Sequence, residues 1–278
     1  MKIALVQHRV SDDFDATLEK GVRAVRAAAE RGADLVVFPE LSFTPFVPQV
    51  RLQERSASRA DLAEPIPGPT TEALGEAARE CGVVVVSNLY ERSGDRFFDT
   101  SPVLDADGTL LGVTRMIHIT QYAHFWEQDY YDPGDTGAPV YDTAAGRIGV
   151  AICYDRHYPE SLRTMALDGA DLIVVPQAGV AGEWPDGMFE AELRVAAFQN
   201  GCYMALANRV GAESHLTFNG ASFVSDPVGR ILAQAPEDDD AIVTATLDLD
   251  ACADAPAREL FLRHRRPDQY ARLVENGG

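Results

Sequence analysis

An α/β domain is what this sequence of 278 residues predicts, on three observations. Short apolar runs alternate with amphipathic helical stretches from one end to the other. Glycine follows directly on three helical patterns, at Gly32, Gly82 and Gly169, the residue that most readily ends a helix in a left-handed turn. No low-complexity linker or short repeat divides the chain, so residues 1–278 read as one domain.

In order, residues 3–7 form an apolar first strand. A helix over 15–31 follows, with Ala16, Leu18, Val22, Val25 and Ala28 at helical spacing. Residues 35–38 make a buried strand stopped by Pro39, then come a helix over 71–81 and a strand over 83–87. Strands over 97–104 and 109–113 flank Asp105-Ala106-Asp107-Gly108, a hairpin signal. Residues 140–143 and 147–152 bracket a turn at Ala145-Gly146. A helix over 158–168, a strand over 171–175, a helix over 188–199 and strands over 202–207, 221–225 and 242–247 complete the pattern.

Hydrophobic residues make up 46% of the chain and charged ones 24%, the balance of a soluble globular protein. With 24 Lys and Arg against 43 Asp and Glu, the net charge is −19, which repels phosphate backbones and anionic membrane faces. Nucleic-acid and membrane partners are therefore not expected. The opening Met1–Val6 is too short an apolar run for a signal peptide and reads as a strand. Cys81, Cys153, Cys202 and Cys252 are scattered without a C-x-x-C pair, pointing to free thiols in a reducing, cytoplasmic setting and to no metal site. The Arg258, Arg263, Arg265 and Arg266 patch sits in a tail, residues 257–278, expected at a subunit interface of a homodimer or higher homo-oligomer.

Three segments bear chemistry. Glu40, in Phe38-Pro39-Glu40-Leu41, follows directly on a buried strand, where α/β sheets present functional groups. Cys153 lies in Gly149-Val150-Ala151-Ile152-Cys153-Tyr154-Asp155-Arg156-His157-Tyr158-Pro159-Glu160, at a sharp strand-to-helix turn. Such a turn exposes the side chain, converges backbone N–H groups and favours thiolate. Glu127 lies in the aromatic-rich Phe125-Trp126-Glu127-Gln128-Asp129-Tyr130-Tyr131.

Together these segments resemble the nitrilase superfamily of carbon–nitrogen hydrolases. The resemblance extends through Pro133-Gly134-Asp135, residues 171–176 and 192–200, Ala207-Asn208-Arg209, Gly220-Ala221-Ser222, Asp226-Pro227-Val228-Gly229 and Arg265-Arg266-Pro267. It implies a four-layer α-β-β-α sandwich and a Glu-Lys-Cys triad with a second glutamate and no cofactor. Carried over, the nucleophile is Cys153, the general base Glu40 and the second glutamate Glu127, with the Tyr154 N–H as an oxyanion donor. The family's lysine falls at Met116, eleven residues before Glu127, in Arg115-Met116-Ile117-His118-Ile119-Thr120.

Three readings of Met116 stand side by side. One is a divergent enzyme in which His118 or Arg156 supplies the missing donor; another is a homologue that binds ligand with little catalysis. The third is a substitution introduced to trap a complex, and methionine also simply fills core space. The resemblance further implies a small amide or N-carbamoyl substrate lodged against Met116, Tyr154, Arg156 and Gln177, with hydrolysis or acyl transfer of the thioester. Arg156 either grips a substrate carboxylate or pairs with Asp155 or Glu160 to hold the turn. Phe43, Ala178 and Trp184 are expected in the pocket walls.

Overall fold

The protein is described from a computed structural model, over residues 1–275. Its first half runs β1 (Lys2–Gln7), α1 (Phe14–Glu30), β2 (Leu35–Val37), α2 (Arg59–Leu62), α3 (Pro69–Cys81), β3 (Val84–Val86), β4 (Leu89–Ser93), β5 (Arg96–Leu104) and β6 (Leu110–Arg115). Then follow β7 (Val140–Thr143), β8 (Gly146–Val150), α4 (Pro159–Leu167), β9 (Leu172–Gln177), α5 (Met188–Asn200) and β10 (Tyr203–Asn208). The last elements are β11 (Val210–Ala212), β12 (Thr217–Asn219), β13 (Phe223–Ser225), β14 (Ile231–Gln234), β15 (Ala241–Thr246) and α6 (Pro256–Leu260).

One sheet has the order β15-β1-β2-β3-β5-β4, with β6 also on β5; the other runs β14-β13-β10-β9-β8-β7. Each has a parallel centre, β1-β2-β3 in the first and β8-β9-β10 in the second. The alternation of side chains along each strand creates the layers. Ile3, Leu5, Val84 and Val86 of the first sheet meet Ile148, Val150, Leu172, Val174 and Ala205 of the second in one buried layer. The opposite faces, Ala4, Val36 and Val85 on one side and Ile173, Val175 and Met204 on the other, pack under α1 with α3 and under α4 with α5. Strands buried on both faces explain the near-continuous Val/Ile/Leu runs of the sequence.

Local signals place the helix ends. The Asp13 side chain accepts the Ala16 N–H at 3.0 Å to cap α1. Pro69 starts α3, two residues before the expected position, and Gly82 ends it at φ +66°. The expected 105–108 hairpin closes with the Gly108 N–H on the Asp105 carbonyl at 2.8 Å. The tail packs back on the body: Arg258 donates to the Ala166 and Ala170 carbonyls, and Phe261 meets Phe198 edge-on. Residues 276–278 of the expected interface tail lie outside the described residues. Among the described residues no helix is long and apolar enough to cross a membrane.

Candidate active site

At the C-terminal ends of the parallel strands, where such sheets build their sites, Glu40 follows β2, Cys153 follows β8, Gln177 ends β9 and Asn208 ends β10. Glu40 and Cys153 thus come from different sheets. Leu41, directly after Glu40, and Cys153 itself both hold positive φ, +43° and +41°, a conformation non-glycine residues adopt only under constraint from their surroundings.

That constraint is visible on both sides. The Leu41 N–H donates to Asn88 Oδ1 at 2.7 Å, and Asn88 Nδ2 donates to Asp99 Oδ1 at 2.6 Å and Ser101 Oγ at 3.1 Å. Arg209, reaching across from the end of β10, donates to the Glu40 carbonyl at 3.0 Å, the Leu41 carbonyl, the Thr44 carbonyl at 3.2 Å and the Glu213 carboxylate. Asn208 beside it fastens Gly179, Asn219 and Gly220. Arg209→Leu is expected to cost about 3–5 kcal/mol of stability in urea unfolding, because it strands the Glu213 charge and three carbonyls in the interior.

On the nucleophile side, buried Asp155 accepts the Ile117 and His118 N–H groups at 3.0–3.2 Å and His118 Nδ1 at 2.6 Å. The His118 ring stacks on Tyr158 at 3.4 Å. This ties residues 116–118 to the cysteine turn. Met116 is almost fully buried; its N–H donates to the Asp99 carbonyl at 2.9 Å and its carbonyl accepts the Gly134 N–H at 2.8 Å. A Cβ at position 134 would stand 2.4 Å from the Arg115 carbonyl oxygen, so this approach requires glycine.

The Cys153 thiol faces the Glu40 carboxyl, with no fully formed hydrogen bond to either Glu40 oxygen. Burial, reinforced by Glu127, pushes Glu40 up to about 7. Burial and then the neighbouring Glu40 charge raise the Cys153 thiol well above its usual value, against the pull of Arg156. Asp99 and Glu127 are likewise raised, by burial first and by their mutual repulsion with the other carboxyls. Asp99 is a neighbour of Glu40, and the Glu40 charge is the largest cause after burial of the rise at Asp99. Glu127 accepts only the Thr120 N–H, at 3.2 Å.

Arg156 is fully buried and turned inward. It donates to the Cys153 carbonyl at 2.9 Å, Gln177 Oε1 at 2.8 Å and Glu192 at 3.1 Å, leaving one Nη2 unpartnered. Neither Asp155 nor Glu160 is its partner. Tyr154 is half-buried against the inter-sheet layer. Two expected wall residues are elsewhere: Phe43 packs with Phe38 and His8 under α1, and Trp184 is 39% exposed beside His157 over the α4–α5 groove. Ala178 lies in the aromatic cluster of Leu41, Phe46, Tyr90, Phe125, Tyr130 and Tyr131 at this end.

Sequence reasoning missed Asp99, Asn88 and the Tyr122–Glu183 contact, 2.6 Å between hydroxyl and carboxylate. The signal for Asp99 was available: a carboxylate within the apolar strand pattern of Phe97-Phe98-Asp99-Thr100 is costly unless it has a task or a partner.

The sequence profile of carbon-nitrogen hydrolases matches residues 2–257. The chain is 32% identical to an N-carbamoylputrescine amidase of Solanum lycopersicum, over 99% of this chain and 95% of that protein. A carbon-nitrogen hydrolase from Helicobacter pylori G27 superposes with a TM-score of 0.92 at 28% identity, covering 99% of each chain. An amidase from Nesterenkonia sp. AN1, crystallised with the acetamide moiety of fluoroacetamide added covalently at its active-site cysteine, gives 0.82 at 25% identity, covering 99% and 97%. The chain belongs to the carbon-nitrogen hydrolase family, the nitrilase superfamily, and is a carbon–nitrogen hydrolase.

Proposed function

We propose that Cys153 attacks the carbonyl carbon of a small amide or N-carbamoyl compound while Glu40 takes the thiol proton. Glu40 then passes that proton to the departing ammonia or amine, leaving a thioester on Cys153. Water activated by Glu40 hydrolyses the thioester and restores the thiol. The observation that carries this reading is the meeting of the Cys153 thiol and the Glu40 carboxyl from opposite sheets, each beside a positive-φ backbone. The Tyr154 N–H, second in the 153–157 turn, has no acceptor within that turn and serves the oxyanion. Glu127 holds the attacked group against the nucleophile. The Solanum and Nesterenkonia proteins, by name an N-carbamoyl amidase and an amidase, support the substrate class.

Arg156 and Gln177 brace the Cys153 carbonyl in this reading, a positioning role supported by their bonds to each other and to the turn. Met116 places an apolar side chain in the buried cluster that includes Cys153, which supports a second reading: a homologue that binds its ligand with weakened catalysis.

The test is intact-protein mass spectrometry after incubation with amides, nitriles and N-carbamoyl compounds, run on the chain, on Cys153→Ala and on Met116→Lys. An adduct that disappears in Cys153→Ala supports the hydrolase, and its mass names the acyl group. Met116→Lys is expected to form that adduct about 10²–10³-fold faster, the worth of one well-placed oxyanion donor. Ligand-induced thermal stabilisation that persists in Cys153→Ala, with neither adduct nor released ammonia from the chain, favours the binding homologue. A thioester that turns over only when an amine is added identifies acyl transfer.

A further inference from the structure

Three acidic side chains from separate elements cluster at Cys153: Glu40 after β2 and Glu127 in the turn at Glu127–Asp129 act on the thiol, and Asp99 on β5 acts on both carboxyls. All three are fully buried. Both Glu40 oxygens, Asp99 Oδ2 and Glu127 Oε1 have no donor, and the hydroxyl of buried Tyr131, which faces these same carboxyls, has no partner either.

The cations around them are engaged elsewhere. Arg156 pairs with Glu192, and Arg209 with Glu213. Arg115 pairs with Glu91 and Asp135. The remaining charged neighbours, Asp155 and Glu183, are acidic and deepen the negative potential at Glu127. Buried carboxyls without a positive partner hold their protons to higher pH, and Glu40 accepts the thiol proton only once it is ionised. A primary ammonium presents N–H groups that point apart and reach oxygens spread around it through charge-assisted hydrogen bonds.

We propose that Glu40, Asp99 and Glu127, with the Tyr131 hydroxyl, form a subsite for a small primary ammonium group, free or carried by the substrate, that supplies the positive charge next to Cys153. The subsite rests on Cys153 being the nucleophile. When the cation binds, the Glu40 proton leaves to solvent. Ionised Glu40 then takes the thiol proton as the sulfur–carbon bond forms, and the ammonium faces the developing oxyanion.

The probe is iodoacetamide, whose iodide the Cys153 sulfur displaces while the thiol proton leaves through Glu40. Labelling at Cys153 is followed by peptide mass spectrometry at fixed pH and ionic strength. The half-exposed Cys81 in the same tubes is the internal control. Ammonium or methylammonium chloride is expected to speed Cys153 labelling saturably, by about tenfold or more over sodium or tetramethylammonium chloride, each unit of thiol pKa being a factor of ten in thiolate. Cys81 is expected not to respond, and Glu127→Gln to lose the acceleration. Equal Cys153 rates in ammonium and sodium salts overturn the subsite but leave the nucleophile standing. Modification of Cys81 with none at Cys153 in any salt overturns both.

A second pair of reagents separates the two sources of the cation. Without added ammonium, aminoethyl methanethiosulfonate reacting at least about tenfold faster than the neutral methyl reagent at Cys153, relative to Cys81, assigns a substrate-borne ammonium. Equal rates alongside the ammonium chloride effect assign a free ion.

Discussion

Replacing Cys153 by alanine is expected to lower ammonia release by about 10⁴–10⁶-fold, the scale on which enzymes lose turnover with their nucleophile. The effect is large because covalent catalysis divides one difficult substitution into two easier steps, and no other side chain in the cluster can take the role. Burial and mutual repulsion raise Asp99 and Glu127, which weakens them as nucleophiles, and the Arg156 guanidinium is committed to the Cys153 carbonyl, Gln177 and Glu192. Alanine keeps a Cβ at the same φ of +41°, so the backbone strain is unchanged and the melt stays within about 1 kcal/mol of the parent. Ammonia release by the alanine variant at the parent rate would show that the attacking group lies elsewhere.

Glu40→Gln is expected to lower kcat by about 10²–10⁴-fold, the worth of a positioned general base. The parent's pH dependence should carry the mark of the same group. Activity needs the carboxylate, and burial has moved Glu40 up to about 7, so kcat/KM rises as pH increases through about 7. Stability runs the other way. Glu40 binds its proton more tightly folded than unfolded, so its contribution is fully present below pH 4.5 and is lost as pH rises through about 7. Across that window the loss is about 3 kcal/mol, from 1.36 kcal/mol per unit, shared with the proton that Asp99 holds. Urea unfolding from pH 4.5 to 8 should therefore show a slope in the parent that flattens in Glu40→Gln. A parallel slope in both proteins would place the titration in another group.

The apolar run of residues 3–7, the Val83–Ser87 strand and the glycine-ended helices were legible because burial on one or both faces leaves its mark on the sequence. Glu40 and Cys153 were legible for a related reason: each is the polar residue that interrupts an apolar run where a strand gives out. β4 and β14 were not. Leu89–Ser93 mixes Leu and Tyr with Glu, Arg and Ser, and Ile231–Gln234 is mostly exposed, so neither carries a core pattern. Asp99 escaped because its partners, Asn88 and Glu40, are distant in sequence. Phe43 and Trp184 were misplaced for want of rotation: proximity to a strand end does not say which way a loop turns. Arg156 left two possibilities open, and its bonds to Gln177 and Glu192 come from elements 21 and 36 residues away.

The proposed reacting pair straddles a seam. Glu40 is carried by the first sheet and Cys153 by the second, and what keeps them in register is the dry Ile, Leu and Val layer between them, clasped at its rim by Arg209. Neither sheet carries both Glu40 and Cys153, so on the proposed mechanism activity requires the two sheets to be docked. A slip of one sheet over the other by a fraction of an ångström leaves every strand intact yet parts acid from sulfur. Inactivation under mild heat or denaturant is thus a gauge of sheet docking, sounding before the secondary structure gives way.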